Sequence, residues 1–129
     1  MNHQAALDMY RSVSVQTGVE DAGDHQLIEM LLDGAISRTS GAILACDRGE
    51  IAARGENISA AISIIDGLRS SLDFDKGGEI AANLAQLYDY MESKLAEANL
   101  SGDADLMDQV VNLLRELHSG WKSIPNHIN

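Results

Sequence analysis

Apolar residues recur along most of this chain at steps of three and four, the spacing that keeps side chains on one face of a helix. From Asp24 to about Arg48 they are Leu27, Ile28, Leu31, Leu32, Ala35, Ile36, Ala42, Ile43 and Cys46, one wide stripe. Asp24 stands where a carboxylate can accept from the free N–H groups of a first turn, and Gly49 stands where a helix ends. A second helix is predicted over about Glu50 to Leu72, with Ile51, Ile58, Ile62, Ile65, Leu68 and Leu72 on its buried face. The polar, glycine-rich run SLDFDKGG reads as a link. The third predicted helix, Gly78 to Leu100, has the cleanest period, with Ile80, Leu84, Leu87, Met91, Leu95 and Ala98 forming an inward row. Ser101-Gly102 breaks it, and Asp103 caps a fourth helix that runs to about Lys122. Leu106, Met107, Val110, Leu113, Leu114, Leu117 and Trp121 share the apolar side of this last helix.

Residues 1–23 show no sustained period. Leu7, Met9, Tyr10, Val13, Val15 and Val19 are scattered, and the alternation at Val13 and Val15 suggests an extended stretch, so this segment reads as an arm. The closing SIPNHIN, 123–129, is expected to fray. Short links make consecutive helices antiparallel neighbours. Four stripes on helices of about 20 residues must be buried together. The expected fold is all-α: an antiparallel up-down four-helix bundle over 24–122, preceded by the arm. The helices should fall at about 24–48, 50–72, 78–100 and 103–122.

Composition narrows the function classes. At 129 residues the chain is one domain's worth, and a chain of this size buries roughly two-thirds of its unfolded surface. The only proline is Pro125, so the chain before it is free of the strongest helix breaker. The net charge of -11, from 9 basic and 20 acidic residues, weighs against nucleic acid and against an anionic membrane surface. A plainer meaning of that charge is solubility. Cys46 is the only cysteine, so no internal disulfide can form, which fits a reducing compartment. No apolar run approaches the roughly 20 residues of a membrane span. The start MNHQAALDMYRSV lacks the layout of a signal peptide. A cytoplasmic protein with no membrane span is expected.

Catalytic and metal patterns do not assemble. None of His3, His25, His118 and His127 has an acidic residue three positions before it, so the di-iron Glu-x-x-His pattern fails. The zinc pattern H-E-x-x-H is also missing. His25 and His118 remain formal candidates for a histidine phosphotransfer bundle, beside the plainer reading as surface residues or helix-end charges. Cys46 reads as a small buried hydrophobe, and Gly77-Gly78 as a turn. Neither a cofactor nor enzymatic activity is expected. Gly34, Gly41, Gly55 and Gly67 each cost about 1 kcal/mol relative to alanine inside a helix. They mark either close helix approach or a bundle kept loose for a partner. Adjacent apolar pairs such as Leu27-Ile28, Leu31-Leu32 and Val110-Val111 make stripes wider than a coiled-coil seam. Such a stripe is a wide core face or a partly exposed groove.

Particular runs say more. GGEIAANLAQLYDYMESKLAEANLSGD at 77–103, DHQLIEMLLDGAI at 24–36 and ISIIDGLRSSLD at 62–73 resemble the signature regions of the flagellin export chaperones, the FliS family. Tyr10 followed by RSVSV is similar to that family's N-terminal arm, and LLRELHSGW at 113–121 to its closing helix. The matches fall in the family's order. One departure is Gly23-Asp24 in place of the usual Ser-Pro, which leaves the cap to Asp24.

The resemblance implies an antiparallel four-helix bundle with the N-terminal arm packed against it. It also implies a cytoplasmic chaperone of type III export that holds the disordered C-terminal segment of flagellin, prevents early polymerisation and helps present it to the export gate protein. An anti-sigma factor is a further candidate partner. Catalysis and nucleotide are not implied. The arm would occupy part of the client groove until displaced. The candidate partner-binding residues are Tyr10, Val13 and Val15 in the arm, Leu27 and Ile28, Ile58, Ile62 and Ile65, and Leu84, Tyr88 and Tyr90. Two rivals are the phosphotransfer bundle and a helical adaptor with another client.

Overall fold

The computed structural model describes residues 23–123. Tyr10, Val13, Val15 and the rest of the arm, and the tail from 124, lie outside the described residues. Four helices follow one another: α1 Gly23–Asp47, α2 Ile51–Ser70, α3 Phe74–Ser101 and α4 Ala104–Lys122. Links of two or three residues fold each helix back on the last. In the resulting ring α1 packs on α2 and α4, and α3 packs on the same two helices, while the diagonal pairs stay apart. This is the expected four-helix bundle.

Local chemistry explains the corners. Gly49 takes the left-handed φ of 70° after α1, and Glu50 N–H reaches back to Ala45 O at 2.9 Å, so the last carbonyls of α1 are satisfied. Gly102 does the same after α3, its φ 71° and its N–H 2.7 Å from Ala98 O. Asp103 then caps α4 by accepting from Asp105 N–H at 3.0 Å. At the opposite end of the bundle Trp121 Nε1 donates to His25 O at 2.8 Å, and the two rings stack with centroids 4.8 Å apart. These contacts fasten the end of α4 to the start of α1.

The core runs the length of the bundle, with Leu31 and Leu32, Ile58 and Ile65, Met91 and Leu95, and Met107 and Leu114 at or near zero exposure. α1 and α2 share the most extensive interface. Ala35, Ala42, Ala45 and Ala61 are buried there or nearby, and a Cβ on Gly41 would lie 2.9 Å from Asn57 Oδ1. Close approach is therefore the reason for glycine at 41. The buried Thr39 hydroxyl donates to Ala35 O at 2.8 Å, so it costs no unpaired group.

Five sequence expectations need correction. α1 begins at Gly23, so Asp24 stands inside the first turn and not at the cap. α2 ends at Ser70, which leaves Leu72 in the link. α3 begins at Phe74, within the run read as a link, because Asp73 caps it by accepting from Lys76 N–H at 3.0 Å. A kink at Gly78, φ 51° and ψ -123°, joins this first turn to the rest, and only glycine adopts that geometry readily. Beyond the kink the buried row is Ala81, Ala85, Tyr88, Met91, Leu95 and Ala98. Ile80 is 72% exposed and Leu84 and Leu87 move to the flank, because the small Ala81 and Ala85 sit deepest in this half. Ile51 likewise is 69% exposed at the very start of α2, where the stripe has run past its covering neighbours.

Burial therefore separates two leucine-sized side chains of the same predicted row. Leu95→Ala should cost about 3 kcal/mol in urea unfolding, and Ile80→Ala less than about 0.5 kcal/mol. A larger loss for Ile80→Ala would contradict this placement.

Candidate partner groove

The first turns of α2 present Ile51, Ala52, Gly55, Glu56, Ser59 and Ala60, which with Asn99 of α3 line an open, shallow groove of about 540 Å³. Most of these side chains are small, so the α2 backbone lies close to the surface. A Cβ on Gly55 would meet only Asn99 Oδ1, at an ordinary 3.8 Å. Internal packing does not require glycine at 55; its smallness keeps the floor of the groove open. Glu56 is the one charged group in the lining.

The groove's far wall is pinned from below. Arg54 Nη2 donates to Asn99 O at 2.9 Å, placing a cation at the negative end of α3. A Cβ on Gly102 would lie 3.0 Å from Arg54 Nη1, which adds a second reason for glycine there. Cys46 Sγ donates to Gly102 O at 3.3 Å, so the lone thiol is engaged in holding the same corner.

Farther along the α2–α3 seam the lining becomes charged. Arg69 grips Asp89 with two bonds, Nε to Oδ1 at 2.8 Å and Nη2 to Oδ2 at 3.3 Å, both partners well exposed. Beside them Glu92 of α3 meets Asp66 of α2. Burial, a hydrogen bond with Asp66 and the charges of Asp66 and Asp89 push the Glu92 carboxyl up to about 8, against the pull of Arg69. Glu92 Oε2 is closed off from solvent with no hydrogen-bond partner. At neutral pH the Glu92 carboxyl therefore keeps its proton. Tyr88 is pushed up to about 12 by burial alone, and its phenol stays protonated.

The sequence-predicted contacts do not gather on one surface. Ile58, Ile65 and Tyr88 are buried in the core. Leu27, Ile28, Ile62 and Leu84 are half-buried and packed against it. Tyr90 is 44% exposed, with Lys94 Nζ 5.5 Å from its ring centre. Since α1 and α3 are diagonal, Leu27 and Ile28 share no seam with Leu84 and Tyr90. Tyr10, Val13 and Val15 lie outside the described residues. The groove is lined by Ile51, Ala52, Gly55, Glu56, Ser59, Ala60 and Asn99, of which periodicity marks only Ile51. The glycine at 55 and the small residues at 52 and 59 on one helix face were the available signal.

Among the described residues, neither His25 nor His118 presents a free, exposed Nε2. His25 is stacked under Trp121 with its Nε2 buried, and His118 Nε2 is buried 2.9 Å from Asp33 Oδ1 and 3.9 Å from Glu29 Oε1. Among the described residues no group of three or more His, Cys, Asp or Glu side chains is placed to hold a metal ion. No helix among them is long and apolar enough to cross a membrane.

An all-α four-helix bundle with an open, largely apolar groove along one seam is the class that these residues define. The model of the family described as flagellar protein FliS matches residues 6–127, and the chain belongs to that family. The flagellar secretion chaperone FliS of Salmonella typhimurium is 48% identical over 121 residues, 93% of this chain and 90% of that one. The flagellar secretion chaperone FliSB of Pseudomonas aeruginosa is 45% identical over 119 residues, 92% and 94% of the two chains. The FliS of Bacillus subtilis is 27% identical over 107 residues, 83% and 79%. All three are named flagellar secretion chaperones.

The Glu92 environment gives stability a definite pH slope. Between the ordinary 4.5 and about 8 the folded chain binds a proton that the unfolded chain releases. Stability from this group is complete below that window and is lost as pH rises through it. In urea unfolding, Glu92→Gln should flatten the decline between about pH 5 and about pH 8.5. Parallel pH profiles for the two proteins would overturn the assignment.

Proposed function

We propose that this protein is a cytoplasmic chaperone of type III flagellar export that holds the C-terminal segment of flagellin in the α2–α3 groove. Holding that segment would keep subunits from polymerising before they reach the export gate. The observation that carries the reading is the bare, small-residue face of α2 in a chain of this family. A client helix can lay its apolar side close against such a face, as helix-in-groove recognition requires. The names of the Salmonella and Pseudomonas relatives, flagellar secretion chaperones, support the same reading.

Ordering a disordered segment consumes part of the interaction energy, so its contact surface must be large. A groove of about 540 Å³ takes only a few side chains, and the client must therefore extend along the seam beyond it. Exposed apolar residues at the start of α3, Phe74 and Ile80, offer further contact area. In the same reading the arm residues Tyr10, Val13 and Val15 compete for part of the client's path. Recognition needs shape and apolar contact and no chemistry at the groove.

Titration calorimetry with the C-terminal segment of the organism's own flagellin tests this. Ser59→Arg, at an exposed position in the groove, should weaken binding about tenfold or more. Leu44→Ser, on the outer side of α1, should leave it unchanged. Absence of binding to the native-like protein at micromolar concentration would sink the proposal. Tyr10→Ala should keep the helical circular dichroism and alter client exchange; a loss of helix would refute the part assigned to the arm.

A further inference from the structure

Glu56, Ser59 and Asn99 bring polar side chains to the groove, and among the described residues those side chains make no hydrogen bond or ion pair. Asn99 engages only its backbone carbonyl, with Arg54 Nη2. The helix positions within one turn of Glu56 are Ala52, Ala53, Ser59 and Ala60, so no cation of α2 reaches it along the helix face. Arg54, two residues away, is turned to the α3 corner instead.

Successive residues of a helix point about 100° apart. Gly55 faces α3, since a Cβ there would stand 3.8 Å from Asn99 Oδ1. Glu56 points away from that wall, on the exposed face of α2, and Ala52 and Ser59 fall between the two directions. The small-residue floor is thus bordered by an amide on its α3 side and by a carboxylate on the other.

We propose that Glu56 receives a Lys or Arg from one edge of the client helix and Asn99 an uncharged hydrogen-bonding side chain from the opposite edge, so that the unlike borders fix which way the client runs. This rests on the client reading given above and adds the chemistry that recognises the client. A floor of small residues gives contact and no direction. Turning a helix end for end in the groove exchanges its edges, so a cation that met Glu56 in one orientation meets Asn99 in the other. The wrong orientation covers the Glu56 carboxylate without a partner, which is costly. The net charge of -11 draws in any cationic segment, and the local pair must be separated from that general pull.

The test is titration calorimetry of the full chain with the purified C-terminal flagellin segment, in about 50 mM and about 500 mM salt. Glu56→Lys should keep native circular dichroism and weaken binding roughly tenfold in low salt, and less in high salt. Glu116→Lys makes the same change of charge at an exposed position of α4, diagonal to α2, and should alter binding less than about twofold. Each Lys and Arg of the segment is then changed to Glu in turn. One of these changes should weaken binding to the wild-type chain and recover about fivefold or more with Glu56→Lys. Asn99→Ala should weaken binding about threefold and show no coupling to that cation. Equal losses in Glu56→Lys and Glu116→Lys, no cation coupled to position 56, or a cation coupled to Asn99 would each overturn this inference alone. Failure of the natively folded wild-type chain to bind the segment in either salt would overturn the client reading and the inference together.

Discussion

The close packing of α1 on α2 is the contact on which the rest of the bundle depends. Small residues are buried on both helices, Ala35, Ala42 and Ala45 on α1 and Ala61 on α2, and glycine stands at 41 where a Cβ would crowd the Asn57 side chain. Two helices brought this near cannot also be wrapped evenly by the other two. α4 follows α1 closely, and its end is fastened by the Trp121 bond and stack on His25. α3 makes smaller interfaces with α2 and α4, so the seam beside it is the one left open at the surface.

Directed contacts add to the core packing of α3: Arg54 and the Gly102 corner hold its end, Arg69–Asp89 bridges its middle to α2, and the kink at Gly78 releases its first turn from the line of the rest. Such contacts are replaceable in a way that a core leucine is not. They leave small residues at the mouth of the seam in place of a wide, fully exposed apolar stripe, which would invite association with any partner.

Much of the fold was legible because helix ends and apolar periods are local signals. Gly49, Gly102 and Asp103 stand where the turns and the cap require them. The misreadings have a common physical origin. Periodicity records which residues are apolar and is silent on which face the neighbouring helices cover, so Ile51 and Ile80 were assigned to the core although Ile51 stands exposed at the start of α2 and Ala81, not Ile80, turns inward on α3. The first turn of α3 was hidden because its cap, Asp73, and its kink glycine both resemble loop residues. The groove left a fainter trace. Ala52, Gly55 and Ser59 shape it through the volume that they lack, whereas periodicity points to large apolar residues, of which Ile58, Ile65 and Tyr88 are buried in the core.

The same seam shows why an acidic chain can carry a shifted carboxyl that composition does not reveal. Among 20 acidic residues Glu92 is not distinguished by sequence. What sets it apart is that α2 brings Asp66 against it while Asp89 engages the nearest arginine. Two carboxyls facing each other at partial burial are stable only with one proton between them. The α2–α3 seam thus sets an exposed ion pair, Arg69–Asp89, beside a half-buried carboxyl that keeps its proton up to about 8.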